Sequence, residues 1–253
     1  MIYVLLGVGF SGTTLVSELL HHSGIPMIDG DQDDYESGGK YEHPAFQNIN
    51  KALLGLTDDQ VFHLRPRDCP PELSPHQREG KLSLIESRQR RYAQWGFKDP
   101  RTVVTYPLWK GLLPEHRLIA VYRDPAANWP RHRWQGLRRR YVNGWRALVH
   151  LRQWCEYNQA ILSYGSALGD GFLLLNYERL MRSQEEVDRL TDFVERPIDD
   201  RRNPAMFRSK GHGDVLFRGV RALMDRVGEA CPAAVMAALE QERRRQANAR
   251  KRG

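Results

Sequence analysis

At 253 residues, 41% of them hydrophobic and 27% charged, the chain is long enough to bury a full core, and it carries no repeat or low-complexity block. A net charge of +7 and a pI near 9.4 point to an anionic partner or substrate, without choosing among a nucleotide, a nucleic acid and an acidic lipid surface. Three scattered cysteines, Cys69, Cys155 and Cys231, form no CxxC pair, which argues against a disulfide framework or a zinc site and suits a reducing compartment.

In chain order, the first apolar run, Ile2 to Phe10, is too short to span a bilayer and reads as a buried strand. A cytoplasmic protein without membrane insertion is therefore expected. Leu15, Leu19 and Leu20 then follow helical spacing up to Gly24. GIPMIDG is expected to be a short second strand, and Asp29 to Tyr41 an exposed acidic loop. PAFQNINKALLGL reads as a helix, and residues 57–80, with four prolines, as a loop or insertion. EGKLSLIESRQRRYAQW is an amphipathic helix, WGFKD a short strand, TVVTYPLWKGLLP a helix and HRLIAVYRD the clearest buried strand. Helices around 126–141 and 144–168 precede a further buried strand in DGFLLLNYERL. SQEEVDRLTDFVE is a helix capped near Ser183, and the tail from about Ala222 is helical with a basic end. Strands alternating with helices imply an α/β fold with a parallel sheet covered on both faces, in one domain over residues 1–253.

The stretch GVGFSGTT, from Gly7, has the spacing of a phosphate-binding loop: glycine, four residues, glycine, then two hydroxyl residues. Between a buried strand and a helix, backbone N–H groups and the positive end of the helix converge, so an anion is the natural occupant. Gly9, Ser11, Gly12, Thr13 and Thr14 make up this candidate site. Thr13 stands where a nucleoside triphosphatase carries the lysine that reaches the outer phosphates, so the loop suits a 5′-phosphate better than a triphosphate tail. A tight turn with no ligand is the plain alternative.

Four segments, in order, resemble the sulfotransferases that use 3′-phosphoadenosine 5′-phosphosulfate (PAPS). SGTTLVSELL resembles their 5′-phosphosulfate loop, and WGFKDPR a Lys-Asp-Pro segment of bacterial and protein-tyrosine members. LIAVYRDPAANWPRHRW resembles their 3′-phosphate motif, and FLLLNYERLMRSQEEVDRLTDFVERPI their later Tyr-Glu-Asp-Leu segment. The resemblance spans most of residues 1–200. It implies a P-loop NTPase-like three-layer sandwich, PAPS as sulfuryl donor, no metal, and a small-molecule or carbohydrate acceptor, with no obligate nucleic acid.

It also implies roles. Arg123 holds the 3′-phosphate, and Arg131 stands where the family usually has a serine for the same group. An arginine can fork onto a phosphate at least as well. Tyr177 matches a tyrosine near the adenine, with a core role as its alternative. FRSKGHGDV, through Arg208, Lys210 and Gly211, loosely resembles a late loop that closes over the 3′-phosphate, or is simply a solvated basic loop. Lys98 matches a lysine placed by the sulfuryl group, and Glu42, in KYEHPAFQNINKALLG, matches a glutamate base, with adjacent His43 as fallback. Both also suit the N-terminal region of the helix starting near Pro44. The position of the alternative histidine base is Pro100. The largest departure is Phe10, where the family carries a basic residue that stabilises the leaving phosphate. Lys98 is expected to take over much of that work, with Arg101 and Lys40 as helpers.

Two other function classes stay open. The loop spacing is shared with small-molecule and nucleoside kinases, against which Thr13 speaks. A catalytically impaired nucleotide- or RNA-binding protein would explain Phe10 and the arginines interleaved with Trp134, Tyr141 and Trp145. At helical spacing those aromatics are expected to pack inward.

Overall fold

The computed structural model describes residues 1–30, 40–57, 62–132, 140–203, 205, 213–228 and 231–250, with the side chains of residues 140 and 141 outside the description. Four strands form a parallel sheet: β1 (Ile2–Gly7), β2 (Trp95–Lys98), β3 (His116–Tyr122) and β4 (Phe172–Asn176). Their order is β2-β1-β3-β4, so β1 is central and the chain leaves it toward both edges. Every residue of β1, β2 and β4 is buried, as expected for strands covered on both faces.

The period of two along β1 sends Ile2, Val4 and Leu6 to one core and Tyr3 and Leu5 to the other. On the first face lie α2 (Pro44–Leu53), α4 (Thr102–Lys110), α6 (Arg140–Leu168) and α10 (Pro232–Arg250), through Phe46, Trp109, Trp154 and Leu239. On the second lie α1 (Thr13–His22), α7 (Tyr177–Arg182) and α8 (Gln184–Val194), through Leu19, Leu180 and Leu190. The fold is thus helix–sheet–helix, in agreement with the three-layer expectation. Two further helices, α3 (Pro75–Arg91) and α5 (Pro125–His132), flank the sheet, and α9 (Val215–Val227) packs Phe217 on Trp129 of α5. Among the described residues no helix is long and apolar enough to cross a membrane.

Three expectations need correction. GIPMIDG is not a strand. Pro26 has no N–H for a ladder, and the segment buries Ile25, Met27 and Ile28 as a loop whose Pro26 carbonyl accepts from Gly96 N at 3.1 Å. The helix expected from Glu79 starts earlier, at Pro75, because Ser74 Oγ accepts from Gln77 N while the Gln77 side chain accepts from Ser74 N, a reciprocal capping box. The C-terminal helical region likewise begins before Ala222: Asp214 caps α9 by accepting from Phe217 N at 2.9 Å.

Candidate active site

The site lies at the carboxyl ends of β1, β2 and β3, where open α/β sheets bind ligands. After β1 the chain turns through Gly9 and Phe10, and Ser11 N donates to Val8 O at 3.0 Å. Gly12, at φ 102°, is the N-cap of α1 and supplies no side-chain oxygen to the first N–H groups of that helix. Those donors therefore point at the loop without a capping partner. Ser11 is buried, and its Oγ has no hydrogen-bond partner in the protein. A buried hydroxyl beside an uncapped helix start is the donor set an anion satisfies. Gly9 leaves open space where a side chain would stand.

Gly12 is required for a second reason. A Cβ there would lie 2.0 Å from Cδ2 of Tyr177, whose ring rests on the loop. The Arg123 guanidinium stands 4.6 Å from the same ring. Tyr177 thus joins the loop after β1 to the end of β3. Arg123 is 6% exposed and donates through Nε to Glu178 Oε1 at 3.1 Å. Burial raises the Glu178 carboxyl pKa and Arg123 opposes that rise. The backbone at Arg123 is fixed by Trp154 Nε1, which donates to its carbonyl at 2.9 Å. Beside these groups a cleft of about 860 Å³ opens between Asp124, Asn176, Glu178, Arg179 and Arg221.

Lys98 ends β2, and its Nζ reaches Thr14 Oγ1 at 3.4 Å and Glu42 Oε1 at 2.5 Å. The structure therefore brings the strand lysine, the phosphate loop and the glutamate together, although Glu42 and Lys98 lie 56 residues apart. Burial lowers the Lys98 pKa, and Glu42 and then Asp99 hold it up. The second Glu42 oxygen accepts from Gln47 Nε2 at 2.5 Å. Glu42 owes its place to α2: Phe46 stacks on Phe97 with ring centroids 4.2 Å apart, and Asn50 Oδ1 accepts from Trp109 Nε1 at 2.9 Å. Tyr41, just before Glu42, and Phe10 both sit at positive φ, 51° and 65°, unusual for bulky residues. Such conformations persist where surrounding structure enforces them.

His43 has other work. Its Nδ1 accepts from Ala45 N at 3.2 Å as the cap of α2, and its Nε2 lies 3.1 Å from Asp29 Oδ2. Asp29 also receives Arg88 and, at 3.2 Å, the Tyr92 hydroxyl. Arg101 is buried against Asp99, Nη1 to Oδ2 3.0 Å. Arg131, on the last turn of α5, is exposed, and its guanidinium stands 4.9 Å from the ring of Phe10. Trp145 corrects the expected inward stripe, being 61% exposed; Trp134 and the side chain of Tyr141 lie outside the described residues, as do Arg208, Lys210 and Gly211. Sequence reading missed Gln47 and Glu178, whose partners are set by tertiary packing, and the arginines Arg179 and Arg221 lining the cleft.

Comparison with known proteins bears on the fold and the family. The sulfotransferase domain of the olefin synthase from Synechococcus PCC 7002 superposes with a TM-score of 0.52 at 19% identity, covering 95% of this chain and 93% of that one. That similarity speaks for the fold alone. No curated protein sequence matches the chain. The profile of the sulfotransferase family matches residues 4–200, from the first strand through α8 and beyond. The chain belongs to the sulfotransferase family.

Proposed function

We propose that the protein transfers the sulfuryl group of PAPS to a hydroxyl or amine acceptor and releases 3′-phosphoadenosine 5′-phosphate. The observation that carries this reading is the pairing of two anion-binding points, the loop at Ser11 to Thr14 and Arg123, joined by the ring of Tyr177. A donor with phosphate at both ends of its adenosine needs two such points. The unpartnered Ser11 hydroxyl and the uncapped start of α1 fit the 5′ end. Arg123 fits the 3′-phosphate, at the expense of its bond to Glu178, and the cleft beyond has room for the nucleoside. Arg208, Lys210 and Gly211 are proposed to close over the same phosphate.

In the transfer, the acceptor oxygen forms a bond to sulfur as the bond from sulfur to the 5′-phosphate oxygen breaks. Charge grows on the sulfuryl and leaving oxygens, and catalysis rests on positioning and electrostatic stabilisation. Lys98, between Thr14 and Glu42, supplies the cation at that point. Glu42 takes the acceptor proton with a lone pair not engaged by Lys98 or Gln47. His43 positions this segment and is not needed as base. Arg131, over the ring of Phe10, returns a positive charge to the loop position from which Phe10 removes one.

Incubating the protein with PAPS and a panel of phenols, alcohols and sugars, with chromatographic detection of released 3′-phosphoadenosine 5′-phosphate, tests the reading. Acceptor-dependent release is expected. Tight nucleotide binding without release for any acceptor instead supports a binding protein disabled at Phe10.

A further inference from the structure

The long helix α6 has two faces. At helical spacing Trp154, Tyr157 and Ile161 turn into the core, where Trp154 fixes the carbonyl of Arg123. Arg152, Glu156 and Gln159, at i, i+4 and i+7, share the opposite side. There a cavity of about 470 Å³ opens against Arg65, Arg67, Met224 and Val227. It has no lining residue in common with the cleft beside Arg123, and none from the loop after β1. Its size falls within the usual range for small ligands, about 300–1,000 Å³.

Three guanidinium groups face one carboxylate here, a net charge of +2 on the walls. The carboxylate belongs to Arg65. That side chain is only 11% exposed, with Nε 3.5 Å from Glu156 Oε2 and Nη1 donating to Val149 O at 3.5 Å. Arg67 and Arg152 are exposed, and among the described residues neither side chain has a hydrogen bond or an ion pair. The carboxylates nearest in sequence are committed elsewhere. Asp68 accepts from Arg65 N at 2.7 Å and closes the 3₁₀ turn Pro66–Asp68 that carries Arg67. Asp225 of α9 accepts from Ala233 N at 2.9 Å, and Cys231 Sγ lies 3.4 Å from the same oxygen.

The α9 wall is apolar, formed by Met224 and, one turn on, Val227, which is 73% exposed. Cations without partners beside an uncovered apolar wall complement a ligand with an anionic head and a short hydrocarbon tail. The cations line one cavity instead of tracking along a stripe, which suits a compact head group and not a nucleic-acid backbone.

We infer that this cavity is a second anion site, independent of the donor cleft, and that it takes a phosphate monoester bearing a short apolar group. A phosphate monoester above its second pKa, about 6, is a dianion and balances the walls. A sulfate monoester or a lone carboxylate brings a single charge. Each guanidinium can fork onto two phosphate oxygens, and the tail lies on Met224 and Val227.

Calorimetry with butyl phosphate, above that pKa and on protein saturated with 3′-phosphoadenosine 5′-phosphate so that the donor cleft is filled, tests this. One equivalent is expected to bind, with butyl sulfate and methyl phosphate each severalfold weaker. Arg67→Ala and Arg152→Ala should each weaken butyl phosphate about tenfold, the scale of one lost charged hydrogen bond. Arg244→Ala, which removes an exposed arginine of α10 outside the cavity, should leave it within twofold. Nucleotide affinity should stay within twofold in all three variants, which also reports that they are folded. No binding to the wild type overturns the inference, as does unchanged affinity in folded Arg67→Ala and Arg152→Ala. An equal loss in Arg244→Ala also overturns it, since that marks diffuse attraction to a basic protein. Equal binding of butyl sulfate overturns the assignment to phosphate. If butyl phosphate binds through Arg67 and Arg152 as expected but the nucleotide does not bind, the donor reading fails and this site stands.

Discussion

Replacing Lys98 by alanine should damage both turnover and stability, for one structural reason. Its ammonium is 3% exposed and lies 2.5 Å from Glu42 Oε1, and the Glu42 side chain is itself only 12% exposed. Removing the lysine leaves a largely buried carboxylate that still accepts from the Gln47 amide. Breaking a buried pair from one side costs about 3–5 kcal/mol, whereas exchanging both partners for neutral groups of similar size is often near neutral. Lys98→Ala should therefore lose several kcal/mol of unfolding free energy, and Lys98→Met combined with Glu42→Gln should recover most of it. Urea titrations followed by both circular dichroism and tryptophan fluorescence measure this. The turnover readout must separate from it: kcat should fall about 10²–10³-fold in Lys98→Ala, the scale for losing a principal electrostatic donor, and further in the double variant, which also loses the Glu42 base although its stability is recovered. Nucleotide affinity should change little, because the phosphates rest on the loop and Arg123. If Lys98→Ala unfolds within about 1 kcal/mol of the wild type, the two groups are not paired in a dry site. If it retains full turnover, the cation at the reacting centre is another residue.

Further predictions concern two other cations. Lys81 is fully buried, donates to Leu108 O at 3.2 Å, and burial lowers its pKa from 10.5 to about 7. Between those two values the unfolded chain binds the additional proton, so wild-type stability should rise with pH from about 7 to about 10.5, and the desolvation cost is greatest below pH 7. At about 1.4 kcal/mol per unit the full effect is of order 4–5 kcal/mol, so Lys81→Met should flatten the rise in unfolding free energy, and an equally steep rise in the variant refutes the assignment. For Arg131, alanine should lower kcat about tenfold with little change in nucleotide affinity, and Phe10→Arg placed in that variant should restore turnover; a loss of nucleotide affinity instead would return Arg131 to the 3′-phosphate.

Much of this was legible in the residues because it is local. IYVLLG, HRLIAVY and FLLLN are apolar runs of strand length, and buried parallel strands need nothing else to be recognised. Ser183 caps α8 by accepting from Glu185 N, as its position before an amphipathic run implies. The capping box at Ser74 and Gln77 was equally local, and was obscured by the prolines around it. Long-range pairing is a different matter. Lys98 and Glu42 were each singled out, but nothing in sequence spacing gives Gln47 to the second Glu42 oxygen, or Glu178 to Arg123. His43 beside Glu42 looked like a fallback base, and its occupation by Ala45 and Asp29 follows only from the path of the chain. Trp145 shows the limit of periodicity: helical spacing predicts a stripe, and packing decides whether that stripe is covered.

The central claim, two anion points bridged by Tyr177, is tested most directly by calorimetry with 3′-phosphoadenosine 5′-phosphate and AMP on the wild type and Arg123→Ala. Only the first ligand carries the phosphate assigned to Arg123, and one charge-assisted hydrogen bond is worth about 1.5–3 kcal/mol. The wild type should bind 3′-phosphoadenosine 5′-phosphate at least tenfold more tightly than AMP, and Arg123→Ala should erase most of that preference while leaving AMP affinity nearly unchanged. Equal affinities of the wild type for the two nucleotides would contradict the account.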